Sequence, residues 1–234
     1  MGFDATLRDI ADVNGWLSDE QALRLWARAH ALTPPARIVE IGSFQGRSTI
    51  VLARSAPEGV EIVAIDPHAG NDRGPQEIEG FAEEAANDNL VFEANLTKAG
   101  VRDRVRHVRK MSHDAHGDVH GAIDLLYIDG AHRFRPAKDD IVQWGSRVRA
   151  GGTMLIHDSF SSIGVTAAIG ASLLTSSDWT YLGRSGSLTE YRRAAPTSLA
   201  ANAVKQAAQL PWFAKNVVLK GLIASKVLKR DWPY

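Results

Sequence analysis

Residues 38 to 49 read Ile38-Val39-Glu40-Ile41-Gly42-Ser43-Phe44-Gln45-Gly46-Arg47-Ser48-Thr49. A short apolar run stops at Gly42 and a helical pattern starts just past Gly46, so the stretch is a strand, a glycine turn and a helix. Without a Cβ, the two glycines let the backbone bend sharply and a ligand come close. The dinucleotide fingerprint needs three glycines as G-x-G-x-x-G, whereas this turn has Gly42-x-x-x-Gly46. Nor does a Lys follow Gly46 to reach phosphate oxygens, as a P-loop requires. The plain alternative is a strand-to-helix turn with no ligand in some other α/β protein.

Working outward, residues 17–32 carry apolar side chains at helical spacing, with Ser18 placed as an N-cap before Asp19 and Glu20. Pro34 and Pro35 end that helix, and the first strand follows at 37–41, then a helix at about 46–55. A second strand, 60–65, ends at Asp66, 24 residues after Gly42. That is near the spacing of the ribose-binding acid in doubly wound nucleotide folds; the other reading is that Asp66 simply opens the Asp66-Pro67 turn. Residues 68–76 are a loop rich in Gly, Asn, Asp and Pro, suited to a lid. Two helical stretches, 77–86 and 87–99, lead to a third strand at 104–109 and to Ser112. His113, His116 and His120 lack metal-ligand spacing.

A fourth strand, 122–128, is apolar enough to be buried on both faces and stops at Asp129-Gly130-Ala131-His132. After a helix at 134–148, Gly151-Gly152 turns into a fifth strand, 153–156, which delivers His157, Asp158 and Ser159 to the same edge. Ligands of open α/β sheets bind at the carboxyl ends of the strands. Asp129 and Asp158 would therefore face one small object, for which a divalent, oxygen-preferring cation is the natural candidate. The other reading is that one of them contacts an organic cofactor or caps a helix. A small-residue helix at 162–174 and a hairpin of strands 180–183 and 188–193, turning at 183–187, close the pattern.

From about residue 15 to 193 the chain resembles class I S-adenosylmethionine-dependent methyltransferases, in the bacterial group similar to sugar and macrolide-sugar O-methyltransferases. The resemblance rests on Glu40-x-Gly42-x-x-x-Gly46, on Ile128-Asp129-Gly130-Ala131-His132 with the helix after it, on Gly151-Gly152 and on Ile156-His157-Asp158-Ser159. It implies a Rossmann-like, doubly wound, seven-stranded sheet with helices on both faces. It also implies S-adenosyl-L-methionine bound by Glu40, Gly42, Ser43, Gly46, Ser48, Thr49, Asp66, Ser112 and Asp129. Magnesium would be held by Asp129 and Asp158, and His132 would be the general base. The chain departs from the pattern where catechol enzymes have Asp-Asn and this sequence has Asp158-Ser159, and where macrolide enzymes have paired acids and it has His157-Asp158. A structural His132, hydrogen-bonded to the strand-end loop, is the other reading of that residue.

Zero cysteines exclude disulfides and thiol catalysis, and fit a reducing, cytoplasmic setting. The chain starts without a signal-like segment, and no stretch approaches the length of a membrane span. From Ala194 onward six Lys or Arg face the single acid Asp231; the tail thus carries +5 and, the whole being neutral, the remainder −5. An acidic body argues against a nucleic-acid partner, as does the lack of an Asn-Pro-Pro-Tyr or Asp-Pro-Pro-Tyr motif to grip a flipped base. The division is a helical entry segment at 1–35, a catalytic domain at 36–193 and a basic amphipathic tail at 194–234. Pro211 should split that tail in two. Residues 198–230 would lie on an anionic membrane, against a second copy in a homodimer, or on the protein's own body. The activity expected is magnesium-assisted O-methylation of a sugar, glycolipid or polyketide glycoside. The alternatives are a metal-independent small-molecule methyltransferase and a non-catalytic, membrane-associated protein that keeps the cofactor fold.

Overall fold

The computed structural model describes residues 2–69 and 82–227. Five parallel strands, β1 (Ala36–Ile41), β2 (Val60–Ile65), β3 (Val105–Val108), β4 (Ile123–Ile128) and β5 (Val148–Ile156), are extended by the hairpin β6 (Trp179–Ser185) and β7 (Leu188–Arg193). The seven lie in the order β3-β2-β1-β4-β5-β7-β6, with β7 antiparallel to both neighbours. The order reverses between β1 and β4, which opens a crevice at their carboxyl ends.

Alternation along the strands sorts their side chains into two cores. Ile38, Ile62, Leu125 and Leu155 join one core with Leu25, Ile50, Phe92 and Leu96 from α2 (Asp19–His30), α3 (Arg47–Ser55) and α4 (Ala82–Lys98). Val39, Val63, Leu126 and Met154 join the other with Ala137 of α5 (Phe134–Asp139) and with Val165 and Ile169 of α6 (Ile163–Ser172). Helices thus cover both faces. Ser18 caps α2 in a reciprocal capping box with Gln21, as its place before two acids foretold.

Four expectations need correction. Residues 82–98 form one helix, α4, without a break at 86–87, while residues 77–81 and most of the lid loop lie outside the described residues. The helix after β4 is α-helical only to Asp139; it widens into a π turn at Asp140–Trp144, which brings Asp140, Ile141 and Trp144 inward together, and ends in a 3-10 turn. Gly151-Gly152 lies inside β5 rather than before it. Ile123 pairs with Val148 but Leu125 with Thr153, so a bulge takes up the extra residues. A Cβ on Gly152 would stand 2.7 Å from Val148 Cγ1, which explains the glycine. Likewise Gly183 sits at a register shift within β6 instead of opening the hairpin turn, which falls at Gly186-Ser187.

The tail forms two helices, preceded by Ser198 as N-cap: α7 (Leu199–Ala207) and α8 (Leu210–Ala224), with Pro211 in the first turn of α8. Both dock on the body through buried amides. Asn202 accepts from Tyr181 N–H at 2.8 Å and donates to Trp179 O at 3.0 Å, and Asn216 donates to Phe160 O at 3.0 Å. Of the three surfaces expected for the tail, its own body is the one these contacts use. Among the described residues no helix is long and apolar enough to cross a membrane.

Candidate active site

The glycine turn sits at the mouth of the crevice. Gly42 and Gly46 adopt φ +84° and +90°, and a Cβ on Gly42 would lie 2.1 Å from the carbonyl oxygen of Asp129. Only glycine lets β1 and β4 end this close together. Asp66 closes the turn from β2. Its Oδ2 accepts from the N–H groups of Ser43 and Phe44 at 2.9 and 2.8 Å, and its Oδ1 from His68 N–H at 2.8 Å. The Ser43 hydroxyl is buried without a hydrogen-bond partner among the described residues.

Beneath the turn, Glu40 is fully buried and accepts from the hydroxyls of Ser48 and Thr49, both at 2.5 Å. Burial pushes its carboxyl up to about 8, helped by the charges of Asp129 and Asp66 and opposed by the two hydroxyls. Glu40, Ser48 and Thr49 therefore turn toward one another and support the loop from below. Ser112 stands apart from this group: its side chain bonds the buried Asp140, whose carboxyl burial raises to about 6 against that bond.

Across the crevice, β4 and β5 bring Asp129, His132 and Asp158 together, with one ligand atom of each within 4.8 Å of the others. His132 Nε2 lies 2.9 Å from Asp158 Oδ2. Sequence reasoning delivered His157 to this edge but gave it no task. Its Nδ1 lies 3.1 Å from Asp129 Oδ1 and 3.3 Å from Asp158 Oδ2, with the side chain only 3% exposed. The signal was the parallel register: Ile128 pairs with Ile156, so the next residues, Asp129 and His157, must stand side by side. Tyr127, also unremarked, donates its hydroxyl to Asp129 Oδ2 at 2.9 Å. Burial, then the charges of Asp129 and Glu40, hold that phenol far from ionising.

Charges balance within this cluster. Burial alone would discharge His157, yet Asp129 and Asp158 hold its ring protonated well above the usual imidazole range. For Asp158, burial disfavours the anion but His157 and His132 outweigh it, leaving the carboxyl well below its usual range. His132 is raised on the same balance, since Asp158 and Asp129 overcome desolvation. Two carboxylates and two imidazoles thus favour one another's charged forms at the edge of the sheet.

Residues 39–159 match the family model of the methyltransferase domain. An uncharacterized protein of Sinorhizobium fredii, y4gI, is 27% identical over 135 residues, which make up 56% of this chain but only 14% of that protein. Among solved structures, cofactor-bound Rv0187 from MTB is similar at 23% identity and a TM-score of 0.56, over 82% of this chain and 89% of that one. The O-methyltransferase TomG of Streptomyces achromogenes, involved in tomaymycin synthesis and solved with S-adenosylmethionine, is similar at 20% identity and a TM-score of 0.52, over 81% and 85%. At these identities the two structures establish the shared fold.

Proposed function

Because the chain belongs to the methyltransferase-domain family and shares the fold of cofactor-bound relatives, we propose that it is an S-adenosylmethionine-dependent enzyme of class I that methylates a hydroxyl oxygen of a small acceptor, a sugar, glycolipid or polyketide glycoside. The observation that carries this reading is the convergence of Asp129, His132 and Asp158 next to the glycine turn. In it, the backbone at Gly42, Ser43 and Gly46 cradles the cofactor, and Asp66 receives its ribose. The buried Ser43 hydroxyl, which has no partner among the described residues, supports a polar ligand at this turn. Bound cofactor would supply a methyl group on a sulfonium, open to a single displacement.

An alcohol attacks such a methyl only as its proton leaves, which calls for a base working near neutral pH. With its Nε2–H donated to Asp158, His132 has Nδ1 as the proton-accepting atom. Asp158 fixes the ring and stabilises it once protonated. The donor set also fits a divalent cation, since its three ligand atoms lie within 4.8 Å of one another. Asp129 and Asp158 would hold Mg²⁺, which lowers the pKa of a bound hydroxyl and orients it. One observation favours the metal-independent alternative instead: His157 Nδ1 lies 3.1 Å from Asp129 Oδ1 and 3.3 Å from Asp158 Oδ2, where it competes with an ion for both carboxylates.

A screen of hydroxylated acceptors with methyl-labelled cofactor tests the reaction, and EDTA tests the ion. Turnover lost in EDTA and restored by Mg²⁺ establishes the assisted mechanism, whereas full turnover in EDTA establishes the other. Label that appears on no oxygen of any acceptor would overturn the proposal.

A further inference from the structure

After β5 the chain enters a turn, residues 157–162, in which two non-glycine residues hold left-handed backbone: Asp158 at φ +54° and Phe160 at φ +56°. Side chains disfavour that conformation, so it persists only where the surroundings enforce it. Part of the enforcement comes from the turn itself, the end of β5 and the β6–β7 turn. Ser159 N–H donates to Ser187 O at 2.9 Å, its hydroxyl donates to Ile156 O at 2.8 Å, and the N–H groups of Ser161 and Ser162 return to Asp158 O at 3.2 and 2.8 Å.

The rest comes from the tail. Asn216 of α8 is fully buried, and its Nδ2 donates to Phe160 O at 3.0 Å. One helical turn on, Lys220 Nζ donates to Ser161 Oγ at 3.4 Å, and that hydroxyl donates to Asp158 Oδ1 at 3.3 Å. Residues four apart share a helix face, so both side chains reach the same turn. A helix that merely covered apolar surface would place an apolar side chain at 216, because a buried amide is costly unless it is paired. The amide is spent instead on the carbonyl of a residue with disfavoured backbone.

We infer that α8 is a positioning element of the active site: Asn216 clamps the left-handed turn, and Lys220, through Ser161, steers the carboxylate of Asp158 toward His132 and His157. This rests on the reading of His132 and Asp158 as the reacting pair. It assigns the basic tail a task inside the molecule that its charge alone did not suggest.

The test uses the full chain and three variants, Asn216→Ala, Lys220→Met and Lys220→Arg. Hydrogen exchange of the Ser159, Ser161 and Ser162 amides should speed up about tenfold in Asn216→Ala while β1 and α3 keep their protection. In Lys220→Met kcat should fall about tenfold with the cofactor KM and S-adenosylhomocysteine affinity unchanged, and Lys220→Arg should recover most of the loss. Unchanged exchange at 159–162, or exchange that accelerates uniformly across the sheet, would overturn the clamp. Should Asn216→Ala fail to fold, the Lys220 pair decides, and a Met variant as active as the parent overturns the steering. Exchange is read without any acceptor, so a failure of the methylation reading shows separately, as a parent protein that transfers no label.

Discussion

The two halves of the crevice, a few ångströms apart at Gly42 and Asp129, are built on opposite electrostatic principles. The glycine turn is held by backbone amides on Asp66 and by hydroxyls on Glu40, whose carboxyl burial pushes up to about 8. The β4–β5 edge is held by charges, with Asp158 kept well below the carboxylate range by His157 and His132 despite its burial. Glu40 is fully buried and Asp158, just past the end of β5, partly so, and the two are shifted in opposite directions because one has neutral partners and the other cationic ones. On the proposed reading the difference separates tasks: the first half would be a fixed shape for a ligand, the second a set of groups that exchange protons.

The sharpest way to break the separation is to strike the point where the halves touch. In Gly42→Ala the new Cβ would stand 2.1 Å from Asp129 O on a backbone at φ +84°. The strands must part, so shape and chemistry should fail together. We expect a loss of about 3 kcal/mol or more in urea unfolding, from overpacking and left-handed strain combined, and no heat of S-adenosylhomocysteine binding in calorimetry. Binding that survives in a folded variant would place the cofactor elsewhere.

A smaller, one-sided effect is expected from the charged half. His132→Gln should lower kcat by about 10²- to 10⁴-fold, the usual contribution of a general base, and leave S-adenosylhomocysteine affinity intact. Its pH behaviour has a definite sign. The base must be neutral and Asp158 raises its pKa, so the rate should climb with pH through a midpoint above the ordinary imidazole value. Asp158→Asn removes the anion and should shift that midpoint to lower pH as kcat falls. The same pairing stabilises the fold on the acid side, and that contribution fades as pH rises through the raised value. A midpoint that stays put in Asp158→Asn would uncouple the pair.

How far the two halves could be read in advance also differs, for physical reasons. The turn is local: Glu40, Gly42, Gly46 and the end of β2 fall within a short stretch, and apolar runs with glycines between them dictate the geometry directly. Asp129, His132 and Asp158 were legible too, because residues that follow buried parallel strands must emerge at one edge. His157 was not. Its place between the carboxylates depends on the pairing of Ile128 with Ile156, which sets Asp129 and His157 side by side and which two strand ends in a sequence suggest without fixing. The inward roles of Ser48 and Thr49 were equally hidden, since a helix-start hydroxyl looks the same whether it meets a ligand or a buried acid. Furthest from view was Asn216, 56 residues from the carbonyl it holds.

The finest effect should come from the neutral half, through Glu40. Unfolded, its carboxyl titrates near 4.5; folded, near 8. Between those values the folded state holds a proton that the unfolded state has lost, so this group's contribution to stability declines as pH rises from about 4.5 and levels off above about 8. The Ser48 and Thr49 hydroxyls favour the ionised form and so set where the decline ends. Thr49→Val keeps the shape and deletes one of them. At about pH 6, with Glu40 protonated in the fold, the cost should be that of one hydrogen bond, about 1 kcal/mol. At about pH 9 it should be larger, because the remaining hydroxyl stabilises the anion less well and the decline runs on to higher pH. Urea unfolding of parent and variant at both pH values measures the difference. An equal cost at the two would mean that Glu40 does not titrate there, and the contrast between a neutral half and a charged half would rest on the β4–β5 edge alone.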